Sequence, residues 1–377
     1  MHILRSYLAV PPSPGGMERH IHVLSERQRA LGCEVTLAFS SGDTGRSTDL
    51  RVLAGWPILH SRPQSLRDLL FYCAVALRLL RTRVRCDVVH VHGDWSAFLF
   101  GRLIARLARA RVRVASMHGH LRRHAGARWL YRAVCSGYDV AYATGRRESR
   151  LLTEWTGRTW HWITSGVDDR YFEAVRTESA PRSGTQPRIG AASRDGSADV
   201  LTVATLTAVK NLGLLLRVAQ LLPHRSFLIV GDGELRDSLA GEARAMNLQN
   251  VRFAGALEPA QLPAIYTGSG VFLLTSSEEG TPTVILEAMA CGLPIVTTRS
   301  NDFTGIVDEG DGGFVVDGFD ASALAQRIEQ TLADPQRREA MGRHNRAKAR
   351  AFGWERVSGN VTELMRAALT RAPGVTG

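Results

Sequence analysis

The strongest constraint on this chain is an alternation that occurs twice. Short apolar runs of strand length are separated by stretches whose apolar residues recur at helical spacing. In the first half the strand runs are His2-Ile3-Leu4 on to Ala9, Val35 to Phe39, Asp87 to His92, Val112 to His118 and Asp139 to Thr144. Met17, Ile21, Leu24 and Leu31 fall on one face of a helix that Gly32 ends. In the second half the strand runs are Val200 to Thr205, Phe227 to Val230, Val251 to Ala254, Val271 to Leu274 and the stretch opening at Pro294. Between the first two of these, Leu212, Leu215, Leu216 and Leu222 mark a helix. Strand–helix alternation of this kind gives parallel strands joined by right-handed crossovers, so the chain predicts two doubly wound α/β domains. Residues 176–199 are rich in Ser, Gly, Arg and Pro without periodicity and read as a linker. The expected division is 1–178, a linker over 179–199, 200–350, and a tail over 351–377.

A length of 377 residues suits two domains, and 44% hydrophobic with 22% charged residues describes a soluble globular chain. Cys33, Cys73, Cys86, Cys135 and Cys291 have no metal-ligand spacing and read as reduced core thiols, with a cytoplasmic location expected. No signal-peptide pattern opens the chain, and the apolar run Leu69 to Leu77 is too short to span a bilayer. The net charge of +11 is uneven: residues 1–178 hold 27 arginines, no lysine and 15 carboxylates. Arg102, Arg106, Arg109 and Arg113 recur at helical spacing, with Leu103, Ile104 and Leu107 turned away from them. Such a stripe is either a solvated helix face or a surface for an anionic membrane or acceptor. Nucleic acid is excluded as a partner, since no recognition motif or aromatic interleaving accompanies the arginines.

Two sequence features carry chemistry. Pro11-Pro12-Ser13-Pro14-Gly15-Gly16 follows the first strand as a stiff loop closed by two glycines, without the G-x-G-x-x-G spacing of a dinucleotide site. The second is Glu279-Gly280-Thr281-Pro282-Thr283-Val284-Ile285-Leu286-Glu287, followed by Ala288-Met289-Ala290-Cys291-Gly292-Leu293-Pro294. Thr281 predicts a helix cap and Pro282 a first helical position, while Gly292 stops the helix. The free N–H groups of Thr283 and Val284 then form an anion site suited to phosphate. Glu279 and Glu287 bracket it, and carboxylates there should face neutral hydroxyls.

E-x7-E followed by A-M-A-C-G-L-P resembles the donor site of retaining glycosyltransferases of family 4. The resemblance implies the GT-B architecture, two Rossmann-like domains facing a central cleft, with no metal or resident cofactor. It implies that Glu279 touches the transferred sugar, that Glu287 binds ribose, and that the backbone of Gly280, Thr281, Thr283 and Val284 carries the donor diphosphate. Gly15 and Gly16 resemble the family's N-terminal loop, and His118 stands where a histidine lies beside the sugar. His92 reads instead as a satisfied histidine at the domain edge. Ser165-Gly166-Val167-Asp168 resembles an N-G-V-D turn with Ser165 for Asn. The segment 351–357 resembles the one that returns to the first domain. Lys210, one of two lysines in the chain beside Lys348, stands where the family clamps diphosphate, but Thr205 replaces the usual arginine. Asn301 to Val307 departs from the family's G-G-x-x-E-I-V.

The expected activity is retaining, metal-independent transfer of a sugar from a nucleoside-diphosphate sugar to a lipid-linked or cell-surface glycan precursor. A soluble small-molecule acceptor and a non-catalytic GT-B-like binding protein are the alternatives. An anionic membrane, on the inner face of the plasma membrane, is a further expected partner.

Overall fold

A computed structural model describes residues 1–11, 16–53, 64–118, 121, 126–177, 198–279, 283–299 and 305–372. The first sheet is built from β1 (His2–Ser6), β2 (Glu34–Phe39), β3 (Leu50–Arg51), β4 (Val88–Gly93), β5 (Val112–Met117), β6 (Val140–Ala143) and β7 (His161–Trp162). All pairs are parallel, in the order β3-β2-β1-β4-β5-β6-β7. Successive strand residues point to opposite faces, and both faces are apolar. Leu4, Val89, Val91 and Ala115 meet α2 (Gln64–Thr82), α3 (Trp95–Leu107), α4 (Ala127–Cys135) and α5 (Arg146–Thr156). Ile3, Val88, Val112 and Val114 meet α1 (Gly16–Ala30) and α13 (Trp354–Arg371).

The second sheet comprises β8 (Val200–Val203), β9 (Phe227–Val230), β10 (Val251–Gly255), β11 (Val271–Leu274), β12 (Ile295–Thr298) and β13 (Gly313–Val316), in the order β10-β9-β8-β11-β12-β13. Its helices are α6 (Asp169–Thr177), α7 (Leu212–Leu221), α8 (Arg236–Ala245), α9 (Leu262–Thr267), α10 (Thr283–Ala290), α11 (Ala321–Ala333) and α12 (Pro335–Ala349). Leu212, Leu215, Leu216 and Leu222 are all buried, as their spacing predicts.

The chain divides into one unit of 1–166 with 354–377 and a second of 167–353. The first boundary falls ahead of the expected 178 because α6 packs on α9 and α10, with the Tyr171 carbonyl accepting from Cys291 Sγ at 3.4 Å. The second falls at 353 rather than 350, where Trp354, Val357, Val361, Met365 and Ala368 present one apolar face of α13 to the first sheet. Most of the expected linker lies outside the described residues.

Three other expectations change. Leu31 is exposed, and the covered face of α1 carries His20, Ile21, Leu24, Ser25 and Gln28 instead. Cys73 is exposed while the other four cysteines are buried. The four arginines do not share a helix: α3 ends at Leu107, Arg109 turns at φ 52°, and Arg113 lies on β5, bonded to Asp139 at 3.0 and 3.2 Å. A left-handed turn interrupts the helix without interrupting the spacing of the arginines. Leu103 is exposed, whereas Ile104 is buried.

Candidate active site

In an open parallel sheet, ligands bind outside the carboxyl ends of the strands where the order reverses. In the second unit that point lies between β8 and β11. The loop after β8 contains Lys210, and the loop after β11 contains Glu279. The two loops are tied together: Ser277 N donates to the Val209 carbonyl at 2.8 Å, and Thr275 Oγ1 to the Lys210 carbonyl at 3.0 Å. Across that seam Lys210 Nζ forms an ion pair with Glu279 Oε1, which also accepts from Ser276 Oγ at 2.7 Å. Asn211 turns at φ 48° into α7 immediately after the lysine. The site therefore holds an ammonium and an oriented carboxylate side by side.

Thr283 and Val284, both partly buried, begin α10. Their N–H groups are among those a helix leaves without intrahelical partners. Gly280, Thr281 and Pro282 lie outside the described residues. Further along α10, Glu287 is buried and accepts a hydrogen bond from the Tyr266 hydroxyl at 3.1 Å. Burial first, and the Glu287 charge second, push the Tyr266 hydroxyl pKa far up, so the tyrosine stays a donor. The Arg170 guanidinium, paired with Asp168 at 3.0 Å, adds a favourable charge toward Glu287. Thr205 is exposed and brings no charge. Gly231-Asp232-Gly233 serves packing between loops: a Cβ on Gly231, whose φ is +132°, would lie 1.9 Å from the Ala204 carbonyl oxygen, and one on Gly233 2.6 Å from that of Leu206.

In the first unit, polar side chains gather at the carboxyl ends of the central strands, beneath α1. Parallel register sets Arg5 beside His90, and His92 beside Ser116. His118 follows β5. His92 Nδ1 lies 2.8 Å from Ser116 Oγ and 3.1 Å from His118 Nε2. His20 from α1 stacks edge-on against His118, with ring centroids 4.8 Å apart, and its Nδ1 meets Ser165 Oγ at 2.9 Å. Trp354 covers His20 at 5.2 Å between centroids. His20, His92 and His118 each bring a ring nitrogen within 4.8 Å of the other two. Deeper in, Arg5 is bonded to His90, Ser25 and Gln28, and burial lowers its pKa to about 10.

Burial holds His118 down to about 4, and it drives His20, His90 and His92 well below the ordinary imidazole range, with Arg5 and neighbouring rings adding to the effect. The four rings are neutral at pH 7 and can accept or donate one hydrogen bond per nitrogen. His92 differs from its sequence reading. It sits on a central strand, and only Nδ1 is bonded, while Nε2 is buried without a hydrogen-bond partner among the described residues. Gly16 opens α1, and no described atom lies within 4 Å of its Cβ position. Gly15 lies outside the described residues.

Comparison with known proteins matches both units. Residues 14–171 fit the family described as Glycosyltransferase Family 4, and residues 188–348 fit Glycosyl transferases group 1. The chain belongs to glycosyltransferase family 4. Spore coat protein SA of Bacillus subtilis is 31% identical over 54% of this chain and 57% of its own length. The chain thus spans a little over half of that relative. A GDP-mannose-dependent monoacylated alpha-(1-6)-phosphatidylinositol monomannoside mannosyltransferase of Corynebacterium glutamicum is 28% identical over 70% of this chain and 72% of its own. The fold of this family 4 chain is similar to that of sucrose-phosphate synthase from Thermosynechococcus elongatus, a GT-B structure, with a TM-score of 0.78 at 19% identity over 98% and 99% of the two chains.

The described family residues follow β1, β5, β8 and β11 or lie on α10. Lys210 and Glu279 meet. Glu287 lies on the same helix as the Thr283 and Val284 amides, and His118 sits at its strand end. The sequence reading missed His20, Ser116, Ser276 and Tyr266. His20 stands four residues after Gly16 on α1, a helical spacing that could have marked it. The other three carry no local signal.

Proposed function

We propose that the protein transfers a glycosyl group from a nucleoside-diphosphate sugar to an acceptor bound by the first unit, with retention of configuration and without a metal. The observation that carries this reading is the Lys210–Glu279 pair at the strand-order reversal beside the start of α10. In this reading the diphosphate lies against the Thr283 and Val284 N–H groups and the Lys210 ammonium. Positive charge fixed there stabilises the departing diphosphate more in the transition state than in the ground state. Glu279, oriented by Ser276 and Lys210, accepts from a sugar hydroxyl. Glu287 accepts from ribose while Tyr266 holds its other oxygen in place. His118, neutral at pH 7, exchanges hydrogen bonds with the sugar or acceptor. The acceptor's hydroxyl attacks from the face of the leaving group as the bond from sugar to diphosphate breaks, and passes its proton to the departing diphosphate oxygen, which gives retention.

The acceptor class we propose is a lipid-linked or cell-surface glycan precursor, supported by likeness to a relative whose name places a phosphatidylinositol mannoside as its acceptor. Such an acceptor would bring the protein to a membrane surface from the cytoplasmic side. No helix among the described residues is long and apolar enough to cross a membrane.

The test is a thermal-shift panel of nucleoside diphosphates, since a ligand at 100 times Kd stabilises by about 2.7 kcal/mol. Glu287→Gln keeps an acceptor for Tyr266 but removes the charge, so nucleotide affinity should fall about tenfold, on the order of 1.4 kcal/mol. Glu279→Ala should keep nucleotide affinity and lose transfer. Unchanged binding in Glu287→Gln, with lost binding in Glu279→Ala, would reverse the assignment of the two carboxylates. No stabilisation by any nucleoside diphosphate would sink the donor reading.

A further inference from the structure

The arginine stripe expected from sequence is broken by the turn after α3, but the turn gathers arginines from separate elements. Arg109, Arg111, Arg113, Arg158 and Arg371 line one cavity of about 480 Å³, together with Ala110, Ala368, Ala372 and Asp139. The cavity sits where β5 and β6 begin and where α13 ends. His118 follows the other end of β5, and a six-residue strand is roughly 20 Å long. The cavity shares no residue with the candidate active site.

Part of this charge is committed. Arg113 binds Asp139, the one carboxylate among the described lining residues, through two bonds at 3.0 and 3.2 Å. Arg111 caps the end of α13, donating to the Leu369 carbonyl at 3.2 Å and the Ala372 carbonyl at 3.5 Å. Those donations offset the negative end of the helix, which would otherwise repel an anion. Arg158 donates Nη1 to the Ser136 carbonyl at 2.7 Å, and Arg371 donates Nε to the Ala367 carbonyl at 3.0 Å. Those two bonds engage one nitrogen of each guanidinium. Arg109 meets no carboxylate among the described residues, and its left-handed backbone, φ 52°, is an uncommon conformation for a side chain of that size. Among the described residues, five guanidiniums against one carboxylate, with three alanines beside them, leave a concave surface with excess positive charge. Guanidinium forks match phosphate oxygens in geometry as well as charge.

We propose that this cavity is a binding site for phosphate-bearing polyanions, separate from the donor and acceptor sites. The shared chemistry is two or more phosphate charges within reach of Arg109, Arg158 and Arg371. It is met by a soluble pyrophosphate group or by the headgroups of an anionic phospholipid surface.

The test uses the full chain, inorganic pyrophosphate by titration calorimetry, and sedimentation with vesicles of phosphatidic acid in phosphatidylcholine. Arg109→Asn suits the left-handed turn, and Arg371→Gln leaves the helix end exposed and polar. The double variant should bind pyrophosphate at least tenfold more weakly than the parent at low salt. Lys210→Ala, altered in the other unit, should retain the arginine-dependent component, which separates this site from the donor site. Ala372→Glu, a single change that sets a carboxylate in the cavity, should reproduce the loss if the double variant misfolds. Vesicle binding lost in the same variants and displaced by pyrophosphate assigns the lipid surface. Pyrophosphate binding without vesicle binding assigns a soluble ligand. Equal pyrophosphate affinity in parent, double variant and Ala372→Glu, with vesicle binding equally unchanged, overturns the proposal.

Discussion

Lowering the pH from 7 should unfold the first unit through its histidines. The folded state holds His118 at about 4, and it holds His20, His90 and His92 well below the ordinary range. An unfolded histidine titrates near 6.5. Below that pH the unfolded chain takes up protons that the folded unit refuses, so the equilibrium moves toward unfolding. Stability is full above about 6.5 and is lost as pH falls toward the folded values. Each ring costs about 1.4 kcal/mol per pH unit in that window, and His118 alone costs roughly 3 kcal/mol by the time its folded pKa is reached. His20, His90 and His92 move the equilibrium in the same direction and steepen the loss. Melting curves from pH 7.5 to 4.5 should therefore fall steeply below 6.5. Replacing His118 by Asn should flatten the slope by about one ring's share. Imidazole NMR titrations give the direct reading. Rings that titrate near 6.5 in the folded protein, or a melting temperature constant from pH 6.5 to 5, would refute the desolvation argument.

Lys210→Met leaves Glu279 with Ser276 as its remaining hydrogen-bond partner among the described residues and removes the ammonium from the site, so transfer should fall about a hundredfold. Near-normal turnover would remove Lys210 from the donor site. Gly231→Ala places a Cβ 1.9 Å from a backbone oxygen at a φ of +132°, so urea unfolding should show a loss of more than about 2 kcal/mol. An unchanged midpoint would mean that the β8 and β9 loops do not pack as described.

The amino-acid sequence determined the repeated parallel α/β pattern, because strand and helix periods are local and each apolar run must bury both of its faces. It also determined β11 over Val271 to Leu274 and the stop of α10 ahead of Gly292, whereas the expected cap at Thr281 and first helical position at Pro282 lie outside the described residues. Lys210, Glu279, Glu287 and His118 were legible through a motif. Their surroundings were not. The Lys210–Glu279 pair joins residues 69 positions apart, and Tyr266 reaches Glu287 across 21. His92 looked like a satisfied histidine at the domain edge until the β4–β5 register set it beside Ser116 and His118, under a helix that brought His20. The arginines looked like one helical stripe until a left-handed residue turned the chain. Spacing along a chain reports which side chains share a face only while the backbone conformation continues. Where it changes, the packing of α13 and the pairing of β5 decided which charges meet.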